Sequence, residues 1–495
     1  MGVAIVGRSI GYRLWQAVVA IILAVTPLSY IYVISLFFYL KDNHRTWLST
    51  LQENSWVALF ALSLLTLWMV IETLWFPYHH FTANRLRARR LPAHVAKSPE
   101  DRKRLYERCL EALGDHDAVK ISISGWFFGA PIATIRRGNL RLWLAWAMFD
   151  SEPVDLSDSE MDEIEVFIDL TERASAVSFL QGHDRNVNCM RLTIDDMQMF
   201  HRPFIYYAAI SAMHAIAAIF LHAQGFRGTS VTPSGSDFIN SEHEPASPQR
   251  YFYRPARASA AKKSDSALPI VFIHGIGIGY LHYAPLIARL PRDVDVFLLD
   301  WPHVSMRLAE SVPTIPNTVA SISAMLAKHG HPRASFVAHS LGTAAVSWMI
   351  HAKPHLVAST VFMDPIVFLL VDPAVAYNFV YRKPSTVLEL LMQYFVAREL
   401  YIAHSLARHF NWSENILFKD ELPSNVLTGQ KNNMVILSSH DQIVPSAKVR
   451  RYLTNHPNVD LMWFDDVTHG ELMFRKECMT VVQDRVYEAC GLRQA

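Results

Sequence analysis

Between Leu14 and Leu40 the chain reads LWQAVVAIILAVTPLSYIYVISLFFYL, without a single charged residue. A hydrocarbon core about 30 Å thick needs roughly 20 apolar helical residues, so this run is long enough to cross a bilayer. It is also longer than the ~7–15 apolar residues of a secretory signal, and no small-residue cleavage site follows it. A second run starts at Trp56, WVALFALSLLTLWMVIETLWFPYHH, with Glu72 near its end and Trp75, Tyr78, His79 and His80 where an interfacial belt is expected. Both runs are apolar around the whole helix, which favours lipid over a pair of buried core helices. The expectation is an N-terminal membrane anchor over residues 1–80, with transmembrane helices at about 14–40 and 56–78.

Flanking charge sets the orientation. Arg8 and Arg13 precede the first span, and Arg85, Arg87, Arg89 and Arg90 follow the second. The short connection carries only Lys41 and Arg45 against Asp42 and Glu53. Positive charge on both outer flanks places them, and the rest of the chain, in the cytosol, with the endoplasmic reticulum or another endomembrane as the expected location. Asn411 in N-W-S is a formal glycan acceptor that this topology leaves unmodified. A third uncharged segment, Pro203 to Ala223, is also long enough to span. A crossing there would carry everything after it to the other side. Its alanines and His214 weaken insertion, so a helix packed on the protein or lying at the membrane surface is expected.

Composition agrees with a membrane-associated chain: 51% of the 495 residues are hydrophobic and only 18% charged. Lys+Arg at 46 against Asp+Glu at 45 leaves no global attraction to nucleic acid. Cys109, Cys189, Cys478 and Cys490 are scattered, with neither metal-ligand spacing nor the density of a disulfide scaffold. A reducing environment is expected, and neither a metal nor a cofactor.

Residues 81–225 read as a mostly helical juxtamembrane region. PEDRKRLYERCLEALGD opens after Pro99 with acidic residues in its first turn. WFFGAPIATIRRGNLRLWLAWAMF is aromatic and basic, and SEPVDLSDSEMDEIE suits a solvated face or a helix start better than a metal site. Residues 226–268, rich in Ser, Pro, Ala and charge, read as a linker, with YFYRPA at 251–256 as a candidate strand inside it.

The texture changes at Pro269. PIVFIHG, DVDVFLLDWP, ASFVAHS, ASTVFMDP and NMVILSSHD are short apolar, β-branched runs separated by helical stretches such as NTVASISAMLAKHG. That alternation implies a mostly parallel sheet with helices on both faces. In such sheets chemistry sits beyond the carboxyl ends of the strands. ASFVA, then His339-Ser340-Leu341, then GTAAVSWMIHA is a strand, a sharp turn and a helix, the setting of a nucleophile elbow. Ala338 stands where the elbow pattern has its first glycine, a departure of one methyl. A serine hydroxyl needs a base, and the base an orienting acid. SSHDQIVP puts Asp441 beyond one strand and DDVTHGELM puts His469 beyond the next, in the order Ser, Asp, His. Asp364 in FMDP is a rival acid, to which Asp441 is preferred. HGIGIG at 274–279 supplies a glycine-rich loop, and the backbone N–H groups of Ile276 and Leu341 are the candidates for an oxyanion hole. His274 is expected to shape that loop.

These segments resemble the α/β-hydrolase superfamily over roughly residues 265–490, and the extended N-terminal half looks like a membrane-anchored fungal subgroup of it. The resemblance implies an eight-stranded sheet, a helical cap, and Ser340, Asp441 and His469 as a triad. A serine nucleophile sets the chain apart from the epoxide hydrolases and dehalogenases of this fold, which use aspartate. The catalytic domain is then 269–495, and the mostly helical, apolar stretch of about 365–432 falls where this fold inserts a lid. With the membrane hairpin, the expectation is a serine esterase or lipase acting on lipid or other lipophilic esters through an acyl-enzyme. An acyltransferase using the same residues, or a non-catalytic binding protein retaining the fold, are the alternatives.

Overall fold

The computed structural model describes residues 10–53, 56–88, 97–233, 248–257, 267–424 and 432–492. Arg8, Arg89, Arg90 and most of the expected linker lie outside them, as do the side chains of Arg45 and Glu53.

The two uncharged runs form α1 (Ile10–Glu53) and α2 (Trp56–Ala88), both extending past the apolar stretches that predict them. They pair as an antiparallel hairpin with hydrogen bonds between its two helices: Tyr30 donates to the Thr73 carbonyl at 3.0 Å, and the Tyr32 and Thr66 hydroxyls pair at 2.7 Å. Such pairing is what lipid demands of polar atoms. Around the connection the large apolar side chains are exposed, Phe37 at 64% and Trp56 at 87%. The opposite ends pack on the body of the protein. Tyr12 donates to the Pro384 carbonyl at 3.1 Å, Trp75 Nε1 to the Arg202 carbonyl at 2.8 Å, and Arg85 pairs with Glu310 at 2.6 Å.

Residues 97–202 build a small helical layer from α3 (Pro99–Leu113), α4 (His116–Trp126), α5 (Arg137–Phe149) and α6 (Asp158–Ser175). Local chemistry starts these helices. Ser98 caps α3 with Pro99 in its first turn, and Ser157 and Glu160 form a reciprocal capping box at the head of α6. The acidic run of the sequence is therefore a helix start. Tyr106, Trp126, Trp143, Leu144, Ile164 and Phe167 form its separate apolar core.

The third uncharged segment is α7 (Phe204–Ala223). Its first backbone amides, Phe204 N and Ile205 N, donate to the Glu72 carboxylate at 2.8 and 2.9 Å, and Trp68 Nε1 adds a third bond at 3.0 Å. The lone carboxylate of α2 thus serves the unsatisfied donors at a helix N-terminus. Both ends of α7 are tied to the body: Phe200 N donates to the Arg398 carbonyl at 3.0 Å just before it, and Leu221 and Phe226 join the sheet's core at and after its end.

The body is an eight-stranded sheet of order β1-β2-β4-β3-β5-β6-β7-β8. Its strands are β1 (Arg227–Val231), β2 (Gln249–Arg254), β3 (Ile270–Ile273), β4 (Val296–Leu299), β5 (Ala334–His339), β6 (Val357–Met363), β7 (Asn433–His440) and β8 (Val459–Thr468). β2 runs antiparallel to both its neighbours, β1 and β4, and every other pairing is parallel. One expectation is corrected here. The stretch 226–268 is not simply a linker, because it contributes β1 and β2 to the sheet edge. The backbone amides of β4 need partners on that side, and β2 supplies them.

Side chains alternate between two cores. Phe336, Ala338 and Phe362 point to one face, and Val337, Val361 and Ile436 to the other. Helices cover both: α8 (Ile315–Lys328) and α9 (Gly342–Ala352) pack on the first face, while Met479, Val482 and Val486 of the C-terminal helix Lys476–Ala489 pack on the second. Between β6 and β7, helical turns at Ala374–Tyr381, Val387–Ala397 and Leu400–His409 form the cap. This is the α/β-hydrolase fold, with parallel strands ending together beside the cap.

Candidate active site

β5 stops at His339 and α9 begins at Gly342, so Ser340 occupies the turn between them with φ 52°, the left-handed region. A non-glycine residue held there stores about 1–3 kcal/mol of strain, which the surroundings must enforce. They do so by close packing. A Cβ on Gly275 would sit 2.8 Å from Ser340 Cβ, and one on Gly342 would sit 2.4 Å from the Ile273 carbonyl oxygen. Only glycine lets the β3 loop, the elbow and the start of α9 approach so closely. Ala338, one residue before the turn's histidine, is fully buried in register with Ile273 and Phe362. The methyl that departs from the glycine pattern is therefore accommodated in the sheet.

The sheet brings the three triad candidates together from the ends of three strands. His469 Nε2 lies 2.9 Å from Ser340 Oγ, and His469 Nδ1 lies 2.7 Å from Asp441 Oδ2. The other Asp441 oxygen accepts the Ile443 and Val444 amides at 2.7 and 2.8 Å, which fixes the carboxylate in place. Burial disfavours a charged imidazole at His469, but the Asp441 charge and hydrogen bond, with Asp364 adding to them, outweigh it and hold the ring above its ordinary pKa. A base so raised is well suited to take a serine proton.

Asp364, the rival acid, is differently engaged. Its carboxylate accepts Ser438 N at 2.9 Å, Ser438 Oγ at 3.0 Å and Gly470 N at 3.1 Å. It thereby ties the end of β7 to the residue after His469, one place removed from the Asp441 role. Burial would raise its pKa, yet His339, His469 and the Gly470 amide hold it low. The ligand atoms of Asp364, Asp441 and His469 lie within 4.8 Å of one another, a spacing a metal could use. The hydrogen bonds just described already account for that grouping.

Ile276 and Leu341 line the same cavity as Ser340. The amides on either side of Ile276 are taken, Gly275 N by Tyr283 Oη at 2.9 Å and Gly277 N by the Val304 carbonyl at 3.1 Å. Those of Ile276 and Leu341 donate to no acceptor among the described residues, as an oxyanion hole requires. His274 is fully buried, its Nε2 accepting Trp301 N at 3.4 Å, and burial depresses its pKa to about 4. It is a neutral strut under the loop.

Two contributors escape the sequence patterns. Tyr283 Oη, which accepts the Gly275 amide, also pairs with His339 Nδ1 at 2.8 Å, and so links the glycine loop to the elbow. Only the aromatic at Tyr283 hinted at this. The cavity beside Ser340, partly open to solvent, is lined by apolar residues of the cap such as Phe379, Leu406 and Phe410, and by Trp126 and Trp146 of the helical layer.

Residues 270–479 match the family model described as the alpha/beta hydrolase family. No curated protein matches the chain in sequence. Among solved structures, a bacterial membrane phospholipase A is 15% identical, covering 58% of this chain and 94% of its own, with a TM-score of 0.38. Carboxylesterase CesB from Bacillus subtilis is 13% identical, covering 57% and 99%, with a TM-score of 0.36. An esterase from Thermogutta terrifontis is 10% identical, covering 53% and 99%, with a TM-score of 0.38.

Proposed function

We propose that this chain, whose residues 270–479 are an alpha/beta hydrolase domain, is a membrane-anchored serine hydrolase that cleaves lipophilic carboxylic esters through an acyl-enzyme on Ser340. The observation that carries the proposal is the bridge from Ser340 Oγ through His469 to Asp441, with links of 2.9 and 2.7 Å. Ser340 Oγ attacks the ester carbonyl while His469 Nε2 takes its proton, and Asp441 stabilises the resulting imidazolium. Negative charge on the tetrahedral oxygen is received by the Ile276 amide of the loop after β3 and the Leu341 amide at the head of α9. Collapse expels the alcohol, protonated by His469, and leaves the acyl group on Ser340. Water then attacks, with His469 as base, and the carboxylic acid departs.

An apolar acyl group is favoured by the cavity walls, where Ile276, Leu341, Ile366, Phe379 and Phe410 offer no charge. A bilayer source is favoured by α1 and α2, whose exposed apolar side chains suit lipid. On this reading the anchor lies in the endoplasmic reticulum or another endomembrane, and the site faces the cytosol.

The test uses full-length protein in detergent with a fluorophosphonate probe. The wild type is expected to label and the Ser340→Ala variant to lose both label and ester turnover. Labelling that persists in Ser340→Ala would refute the assignment.

A further inference from the structure

The cavity beside Ser340 joins two separate cores. Its lining includes Ile276, Ser340, Leu341 and Ile366 of the sheet domain. Its lining also includes Trp126, Trp146 and Leu192, which belong to the apolar core of α4, α5 and α6 and lie outside the family-matched segment. Both indoles are fixed by their nitrogens. Trp126 Nε1 donates to the Val371 carbonyl at 2.8 Å, and Trp146 Nε1 to Thr193 Oγ1 at 2.8 Å. The rings pack against each other at 5.5 Å between centroids, tilted by 54°. With each N–H engaged elsewhere, what the tryptophans offer the cavity is ring carbon, and with both rings buried their position is rigid.

We propose that Trp126, Trp146 and Leu192 form the acyl-chain stop of this site, so that the helical layer, and not the hydrolase domain, sets the longest acyl group that Ser340 accepts. The proposal rests on the reading of Ser340 as an ester-cleaving nucleophile. An acyl chain entering from the nucleophile runs along Ile366 and Phe379 and ends against the two rings. The Trp126 bond to Val371, which lies between β6 and the cap turns, holds this wall to the hydrolase domain.

The test measures kcat/KM for p-nitrophenyl esters from acetate to palmitate, with full-length protein in detergent. Trp126→Leu and Trp146→Leu are expected to raise the ratio of long-chain to short-chain kcat/KM by about tenfold or more, the scale of a methylene or two in an apolar pocket. Leu192→Trp, which fills the same end, is expected to lower that ratio. Labelling of Ser340 by a short-chain fluorophosphonate should persist in all three, at whatever rate, and it reports that the fold survives. Should an excavated variant fail to fold, Leu192→Trp still decides the matter. Labelling that is intact with an unmoved chain-length profile would overturn the acyl-stop assignment and leave the hydrolase reading standing. A wild-type chain that neither labels nor cleaves any ester would instead remove the reading beneath it.

Discussion

Ser340 owes its position to two glycines more than to its own side chain. Gly275 and Gly342 have no room for a methyl, and their closeness keeps the serine in a left-handed turn. Three candidate site residues, Ser340, Asp441 and His469, joined by hydrogen bonds in the fold, were legible because an elbow and two strand-end polar residues follow from local patterning. Tyr283 and Asp364 were not assignable, because their roles exist only once the β3 loop, the elbow and the His469 loop meet. At this scale the pH profile is the sharpest prediction. Only neutral His469 can accept the serine proton, and its pKa is held above the ordinary 6.5. Activity is therefore present above that raised value and lost as pH falls through it. The acid limb of kcat/KM is expected to have an apparent pKa above 6.5. A limb centred below that value, measured over a full pH–rate profile, would contradict the Asp441–His469 coupling.

Among the elements, the long apolar helices and the buried parallel strands announced themselves, whereas β1 did not. Its sequence, RGTSV, is short, polar and largely exposed, and it is a strand because β2 offers it a backbone ladder. Propensity gives no signal where the ladder alone decides. Glu72 illustrates the same limit. In sequence it is a charge misplaced in an apolar helix; in the fold it receives the first amides of α7. Glu72→Ala removes that cap and is expected to lower stability by about 1–2 kcal/mol, the usual worth of an N-terminal cap. Glu72→Gln, which keeps an acceptor oxygen, is expected to cost less. Thermal unfolding of the two variants in detergent checks this, and equal melting temperatures for Glu72→Ala and wild type would count against it.

For the whole molecule, flanking charge predicts that the sheet domain lies in the cytosol. Asn411 reports on this only through the absence of a glycan, a negative result. A better measurement appends a glycan acceptor after Ala495 and, separately, inserts one between α1 and α2. The first is expected to stay unmodified and the second to be modified in microsomes; the reverse pattern would invert the topology. What no linear reading exposes is that the cavity is composite. The WFFGAPIATIRRGNLRLWLAWAMF stretch looks like generic packing surface until Trp126 and Trp146 are seen lining the same cavity as Ser340.

The position of β2 bears on how this protein can be handled. The recognisable part of the chain starts at Ile270, and a truncation drawn there would discard β1 and β2. β4 would become the sheet's edge, and Val296, Phe297, Leu298 and Leu299, all fully buried, would border water along an unpaired backbone. Such an edge recruits other chains. The same cut removes both tryptophans, so the excised piece would be adhesive at one side and unwalled at its pocket. The boundary of the family match and the boundary of the sheet and its cavity do not coincide in this chain.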